Sequence, residues 1–152
     1  MSARLYIDAD ACPVRTEAQE VAARHGIEVF LVSNGGIRPS PDPRVHIVVV
    51  DGAADAADKW IAARTGAGDV CVTADIVLAD AVLKTGARVV KPNGETLTTA
   101  SIGQVLAMRD LMADLRAANP LGQGGGQKPF ARADRARFRE TLDRLLRSPE
   151  RP

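Results

Sequence analysis

The feature that most constrains this chain is the regular alternation of short Val- and Ile-rich runs with stretches of helical periodicity. Parallel strands covered on both faces read as nearly continuous apolar runs, and each needs a helix-length crossover to return to the same end of the sheet. Five runs fit: Arg4 to Asp8, Glu28 to Ser33, Val45 to Val50, Asp69 to Thr73 and Arg88 to Lys91. Helices are expected from Pro13 to about His25, from about Ala54 to Thr65 and from about Ile76 to Thr85, each closed by a glycine, Gly26, Gly66 or Gly86. Val14, Ala18, Val21 and Ala22 give the first of these an inward stripe. After the Pro92-Asn93-Gly94 turn, Thr98 or Thr99 caps a long helix with Ile102, Val105, Leu106, Met108, Leu111, Met112 and Leu115 at helical spacing, ending near Asn119-Pro120. A last helix, about 133–147, packs through Phe138, Leu142, Leu145 and Leu146. The expected fold class is α/β, three layers with a mainly parallel sheet of about five strands.

A chain of 152 residues suits one domain, here 1–152. Two stretches lack packing residues: Asn34 to Pro43, with Pro39, Pro41 and Pro43, and about 120–131, where Gly122, Gly124, Gly125 and Gly126 point to a flexible loop. Cys12 and Cys71 are too few for a disulfide framework and too isolated for a Cys-x-x-Cys zinc site. There is no charged and then apolar leader and no membrane-length apolar run, so a cytoplasmic protein with no membrane partner is expected. The 20 basic and 19 acidic residues nearly balance, but residues 1–100 are acidic, with 10 Lys/Arg against 13 Asp/Glu, and residues 101–152 basic, with 10 against 6. Such asymmetry suits an acidic metal site beside a phosphate-binding edge, and equally suits solvated helix faces.

Acids recur where the predicted strands end. Asp8 and Asp10 follow the first strand, Asp51, Asp55 and Asp58 follow the third, and Asp75 and Asp80 follow the fourth. Ligand crevices of open α/β sheets lie beyond the carboxyl ends of strands, so neighbouring strands would bring these carboxylates together. Asp55 and Asp58, three apart, share a helix face. Oxygen donors without nearby His or Cys favour Mg²⁺ or Mn²⁺, which activate water and neutralise charge on a phosphate under attack. The competing reading is structural, since Asp is also favoured at helix N-caps and in first turns. Cys12, near a helix start but without a histidine base in sequence reach, and the local residues His25 and His46 are read as structural.

Four ordered segments carry a resemblance over nearly the whole chain: Ile-Asp-Ala-Asp-Ala-Cys-Pro at Ile7 to Pro13, Gly-x-x-Asp-x-Ala-Asp at Gly52 to Asp58, Gly-Asp-x-x-x-Thr-x-Asp-Ile-x-Leu-Ala at Gly68 to Ala79, and Met-Arg-Asp at Met108 to Asp110. Together with Asp134-Arg135 and Phe138 they resemble the YaiI/YqxD family of uncharacterised bacterial proteins. The resemblance implies a fold like that of PIN and related nuclease domains, whose clustered acids hold divalent metal for RNA or DNA cleavage. It makes Asp8, Asp55 and Asp75, with Asp10, Asp58 and Asp80, the metal-facing set. The glycine-rich stretch Gln123 to Phe130 departs from the Thr-Gly-Gly-Pro-like segment frequent in that family.

Arg109 and Arg116, seven apart on the long helix, suit bidentate phosphate contacts, and Arg132 and Arg135 would extend that edge; the alternative is pairing with Asp110, Asp114 or Asp134. With so few aromatic residues, reading of single strands by stacked bases is disfavoured. Three functions therefore compete. The first is Mg²⁺- or Mn²⁺-dependent, nuclease-like hydrolysis of RNA or DNA phosphodiesters. The second is a metal- or nucleic-acid-binding module without turnover. The third is a phosphomonoesterase resembling the haloacid dehalogenase superfamily, with Asp8 and Asp10 as nucleophile and acid, Ser33-Asn34 as the phosphate element, and Asp75 with Asp80 as later metal acids. That last reading needs a placed lysine, and Lys59, Lys84 and Lys91 have no distinguishing context.

Overall fold

The computed structural model describes residues 3–53, 55–118 and 130–147. Strands β1 (Arg4–Asp8), β2 (Glu28–Ser33), β3 (Val45–Val49), β4 (Val70–Val72), β5 (Arg88–Val90) and β6 (Thr96–Leu97) form one sheet in the order β3-β2-β1-β4-β5-β6. The first five run parallel and β6 returns antiparallel beside β5. The five expected strands are present; the sixth, only two residues long, is too short to show any alternation in sequence. It is reached by a turn in which Gly94 has φ +90°, and a Cβ there would lie 2.7 Å from the Arg137 backbone carbonyl carbon. Glycine is thus required both by conformation and by a close approach.

Helices α1 (Arg15–Arg24), α2 (Ala56–Arg64), α3 (Ile76–Leu83), α4 (Thr99–Ala118) and α5 (Arg132–Arg147) complete the three layers. α1 starts later than Pro13 because a 3-10 turn at Ala9–Ala11 and a further turn precede it. Side chains alternate across each strand. Leu5, Ile7, Val29, Leu31, Val70 and Val72 therefore pack with Ala18, Val21, Phe138 and Leu142 of α1 and α5, while Tyr6, Val32, Cys71 and Val89 pack with Ile61, Leu78, Val82 and Ile102 of α2, α3 and α4.

Cross-strand neighbours Tyr6, Phe30 and His46 form a ladder on the second face, with ring centroids 5.1 Å and 4.8 Å apart, and Trp60 of α2 sits 6.1 Å from Tyr6 and from Phe30. This anchors α2 two residues beyond Asp58. On the first face α5 is seated by buried Phe138, Leu142 and Leu146. Its ion pairs to the α1 side, Arg135–Glu17, Arg139–Glu20 and His25–Asp143, are each 2.8 Å long but partly solvated, so apolar burial dominates the docking.

α4 behaves differently from an ordinary layer helix. Its first turns are covered through Ile102, Val105 and Leu106, but Met108, Leu111, Met112 and Leu115 stand about half exposed. A helix of 20 residues spans about 30 Å, whereas the parallel strands of three to six residues span roughly 10–20 Å, so α4 outruns the sheet. Its expected end near Asn119-Pro120 and most of the expected loop at 120–131 lie outside the described residues. Among the described residues no helix is long and apolar enough to cross a membrane.

Candidate acidic active site

The chain moves outward from β1 through β2 to β3, then returns to place β4 on the other side of β1. The strand order reverses between β1 and β4, and the crevice at their carboxyl ends is where sheets of this kind bind ligands. Asp8 ends β1, and Ile7 is in register with Val72, the last residue of β4. Thr73, 2% exposed, therefore lies next to Asp8 and donates its hydroxyl to Asp8 Oδ2 at 3.1 Å. The same Oγ1 accepts the Asp75 backbone N–H at 3.0 Å. One buried threonine thus ties the ends of two strands and sets the start of α3.

Asp75 is the N-cap of α3, its Oδ1 accepting the amides of Val77 and Leu78. Asp10, in the 3-10 turn, is exposed and accepts the Asn34 N–H through Oδ2 at 2.9 Å, linking the β1 exit to the β2 exit. Asp58 enters from the first turn of α2. Burial pushes the Asp8 carboxyl above its ordinary value, against the opposing Thr73 hydroxyl, and the charges of Asp75 and Asp10 add to the rise. Burial also pushes Asp58 up, with Asp75, Asp8 and Asp55 contributing, to about 6. Carboxylates that raise one another in this way are crowded negative charge, relieved by a proton or by a cation.

Asp8, Asp10, Asp58 and Asp75 are the predicted residues that the structure gathers. Asp55 and Asp80 are turned elsewhere: Asp55 pairs with Lys59 at 3.1 Å, which holds its carboxyl below the usual range, and Asp80 pairs with Lys84 at 3.0 Å. Asp55 still contributes charge to Asp58. Arg135 donates to Glu17 and to the Pro13 carbonyl, with its guanidinium 4.9 Å from the Phe130 ring. Arg109 is exposed on α4, and the Arg116 side chain lies outside the described residues. Asp69 belongs to the opposite end of the sheet, where it accepts the Arg4 and Gly66 amides. Cys12 is buried, and its thiol is pushed up to about 11 by that burial, the state of an inert thiol.

Sequence reasoning missed Thr73 as a site residue although it lies inside one of the family-like segments. Asn34, read in sequence as part of a Ser33-Asn34 phosphate element, enters the site through its backbone N–H, donated to Asp10. Among the described residues no group of three or more His, Cys, Asp and Glu side chains is gathered tightly enough to hold a metal ion by itself. The donor chemistry nevertheless suits a hard cation: all oxygen, no sulfur or imidazole, and mutually repelling. Mg²⁺ is commonly held by one or two carboxylates with water and substrate phosphate supplying the rest, and such a site needs no closed protein cage.

Beside Asp75 an open groove of about 430 Å³ runs between the start of α3 and the face of α4, lined by Ala74, Ile76, Lys91, Val105, Arg109 and Met112 among others.

A family profile described as "Uncharacterized BCR, YaiI/YqxD family" matches residues 6–148. A UPF0178 protein of Ruegeria pomeroyi is 61% identical over 147 residues, covering 97% of this chain and 96% of its own length. One of Cereibacter sphaeroides strain ATCC 17025 is 64% identical over 145 residues, covering 95% and 89%, and one of Rhizobium etli is 52% identical over 143 residues, covering 94% and 91%. No solved structure matches the chain.

Proposed function

The chain belongs to the YaiI/YqxD family, its activity has to be argued from its own site, and we propose that it is a divalent-cation-dependent hydrolase of RNA or DNA phosphodiesters. The observation that carries this reading is the convergence of Asp8, Asp58 and Asp75 where the strand order reverses, with Asp58 forced up to about 6 by its surroundings. Asp8 and Asp75 are the residues that would hold Mg²⁺ or Mn²⁺, with Asp58 and Asp10 beside them. Such an ion supplies activated water and neutralises charge on the phosphoryl group.

The chain's own residues account for the rest. Thr73 fixes Asp8 at the strand end and keeps its spacing from Asp75. Asp75 is itself immobilised by two α3 amides, so the site is preorganised rather than assembled on binding. Asp58, with a carboxyl poised near neutrality, is suited to accept the proton released as water attacks phosphorus. No lysine stands out for the phosphomonoesterase reading, because Lys59, Lys84 and Lys91 pair with Asp55, Asp80 and Glu95, and the Ser33 hydroxyl accepts the Gly35 amide.

The test is cleavage of labelled RNA and DNA, and of bis(p-nitrophenyl) phosphate, in Mg²⁺ or Mn²⁺. Folded Asp8→Asn and Asp75→Asn should each lose at least about a hundredfold in rate, the scale of removing a group that stabilises the transition state electrostatically. Substrate binding without cleavage in either cation would replace this reading with that of a binding module. An Asp8→Asn rate equal to wild type would remove Asp8 from the chemistry.

A further inference from the structure

Resting on the phosphodiesterase reading, we propose that the groove between the α3 start and α4 is a subsite for a nucleotide flanking the scissile bond, and that its occupant is single-stranded nucleic acid bound without regard to sequence. Three observations converge. The groove adjoins the acid cluster, since Ala74 and Ile76, on either side of Asp75, form one wall. Its volume of about 430 Å³ falls within the range of small-ligand pockets and suits one nucleotide unit. Its charge is opposite to that of the neighbouring site: Arg109, exposed on α4 with no ion pair among the described residues, lines it beside Lys91, whose ammonium lies 3.5 Å from the Glu95 carboxylate.

The apolar lining explains the class of occupant. Val105, Met108 and Met112 present aliphatic and thioether surface, with Met108 57% and Met112 47% exposed. A sugar or an unpaired base lays its apolar face on such surface, and polarisable Met adapts to any base. A duplex keeps its base faces stacked and unavailable, so an open strand gains contacts that a duplex does not. Gln104 adds one amide, too little to read base edges. Arg109 supplies a phosphate contact that fixes position without carrying sequence information. Its charge also offsets the repulsion a polyanion meets on approaching Asp8, Asp10, Asp58 and Asp75.

Fluorescence anisotropy with a labelled mixed-sequence 12-nucleotide single strand, in Ca²⁺ to limit turnover, tests this directly. Arg109→Gln should weaken binding about fivefold and reduce the salt slope by about one, as loss of one phosphate contact does. Met108→Gln with Met112→Gln should weaken binding about fivefold through lost apolar contact. Arg44→Gln, before β3, should retain wild-type affinity. A strand carrying 4-thiouridine should crosslink to the peptide containing Gln104–Met112. Unchanged affinity in both groove variants, equal affinity for the matching duplex, or a methionine double variant that only converts a dimer to a monomer overturns the subsite; the last outcome assigns this face to a second copy of the chain. The two readings separate. Cleavage that depends on Asp8 but ignores the groove keeps the hydrolase and removes the subsite, whereas binding that depends on the groove, with no cleavage under any cation, keeps the subsite and removes the hydrolase.

Discussion

Asp58 has a carboxyl displaced to about 6, and its neighbours make that displacement a statement about stability. Below its ordinary value of 3.8 both the folded and unfolded chains hold the proton. As pH climbs from there through about 6 the folded protein gives it up reluctantly, so stability attributable to this group falls across that window. Asp58→Asn should therefore gain about 1 kcal/mol in urea unfolding at pH 8, allowing for solvent screening, and gain nothing near pH 3.5. No gain at pH 8 would mean the acids are not crowded. Thr73→Val keeps the shape but removes the hydroxyl that serves both Asp8 and the Asp75 amide. It should cost about 1–3 kcal/mol by leaving buried polar groups unserved, read from the same urea curves. The acids were legible in sequence by their recurrence after strands. Which of them turn inward was not read, although a signal was present: Asp55 and Asp80 each have a lysine four residues on, Lys59 and Lys84, the spacing of helical ion pairs.

At the scale of elements, β1 and β2 were legible to their ends because an apolar run bounded by polar residues leaves little choice of register. β6 was not, because its two residues are held by the turn and by β5 rather than by their own pattern. α4 was legible as a helix but not in its packing: periodicity reports a stripe, and only the length of the neighbouring strands decides how much of it is covered. α5 makes the strongest element-level prediction. Phe138, fully buried between α5 and the sheet, should cost about 3–5 kcal/mol when replaced by Ala. Gly94→Ala should be destabilising too, by more than 1 kcal/mol, because strain at positive φ adds to the clash with the Arg137 backbone. Either variant with a wild-type urea midpoint would contradict the seating of α5 against the β5–β6 turn.

The whole molecule joins a mainly parallel sheet to a site of clustered acids. The fold puts the carboxyl ends of β1, β3 and β4 on one edge, and the order reversal opens the crevice in which the acids meet. A cation bound by the folded state alone stabilises it by mass action, about 2.7 kcal/mol at a hundred times its dissociation constant. Mg²⁺ should accordingly raise the melting temperature of the wild-type protein and leave that of Asp8→Asn nearly unchanged. The most direct measurement is calorimetric titration of Mn²⁺ into wild type, Asp8→Asn and Asp75→Asn at pH 7.5, with folding verified by circular dichroism. Saturable binding in the wild type, lost or weakened at least about tenfold in both variants, is the result this account predicts. Absence of saturable binding in the wild type, or undiminished binding in both variants, would contradict it.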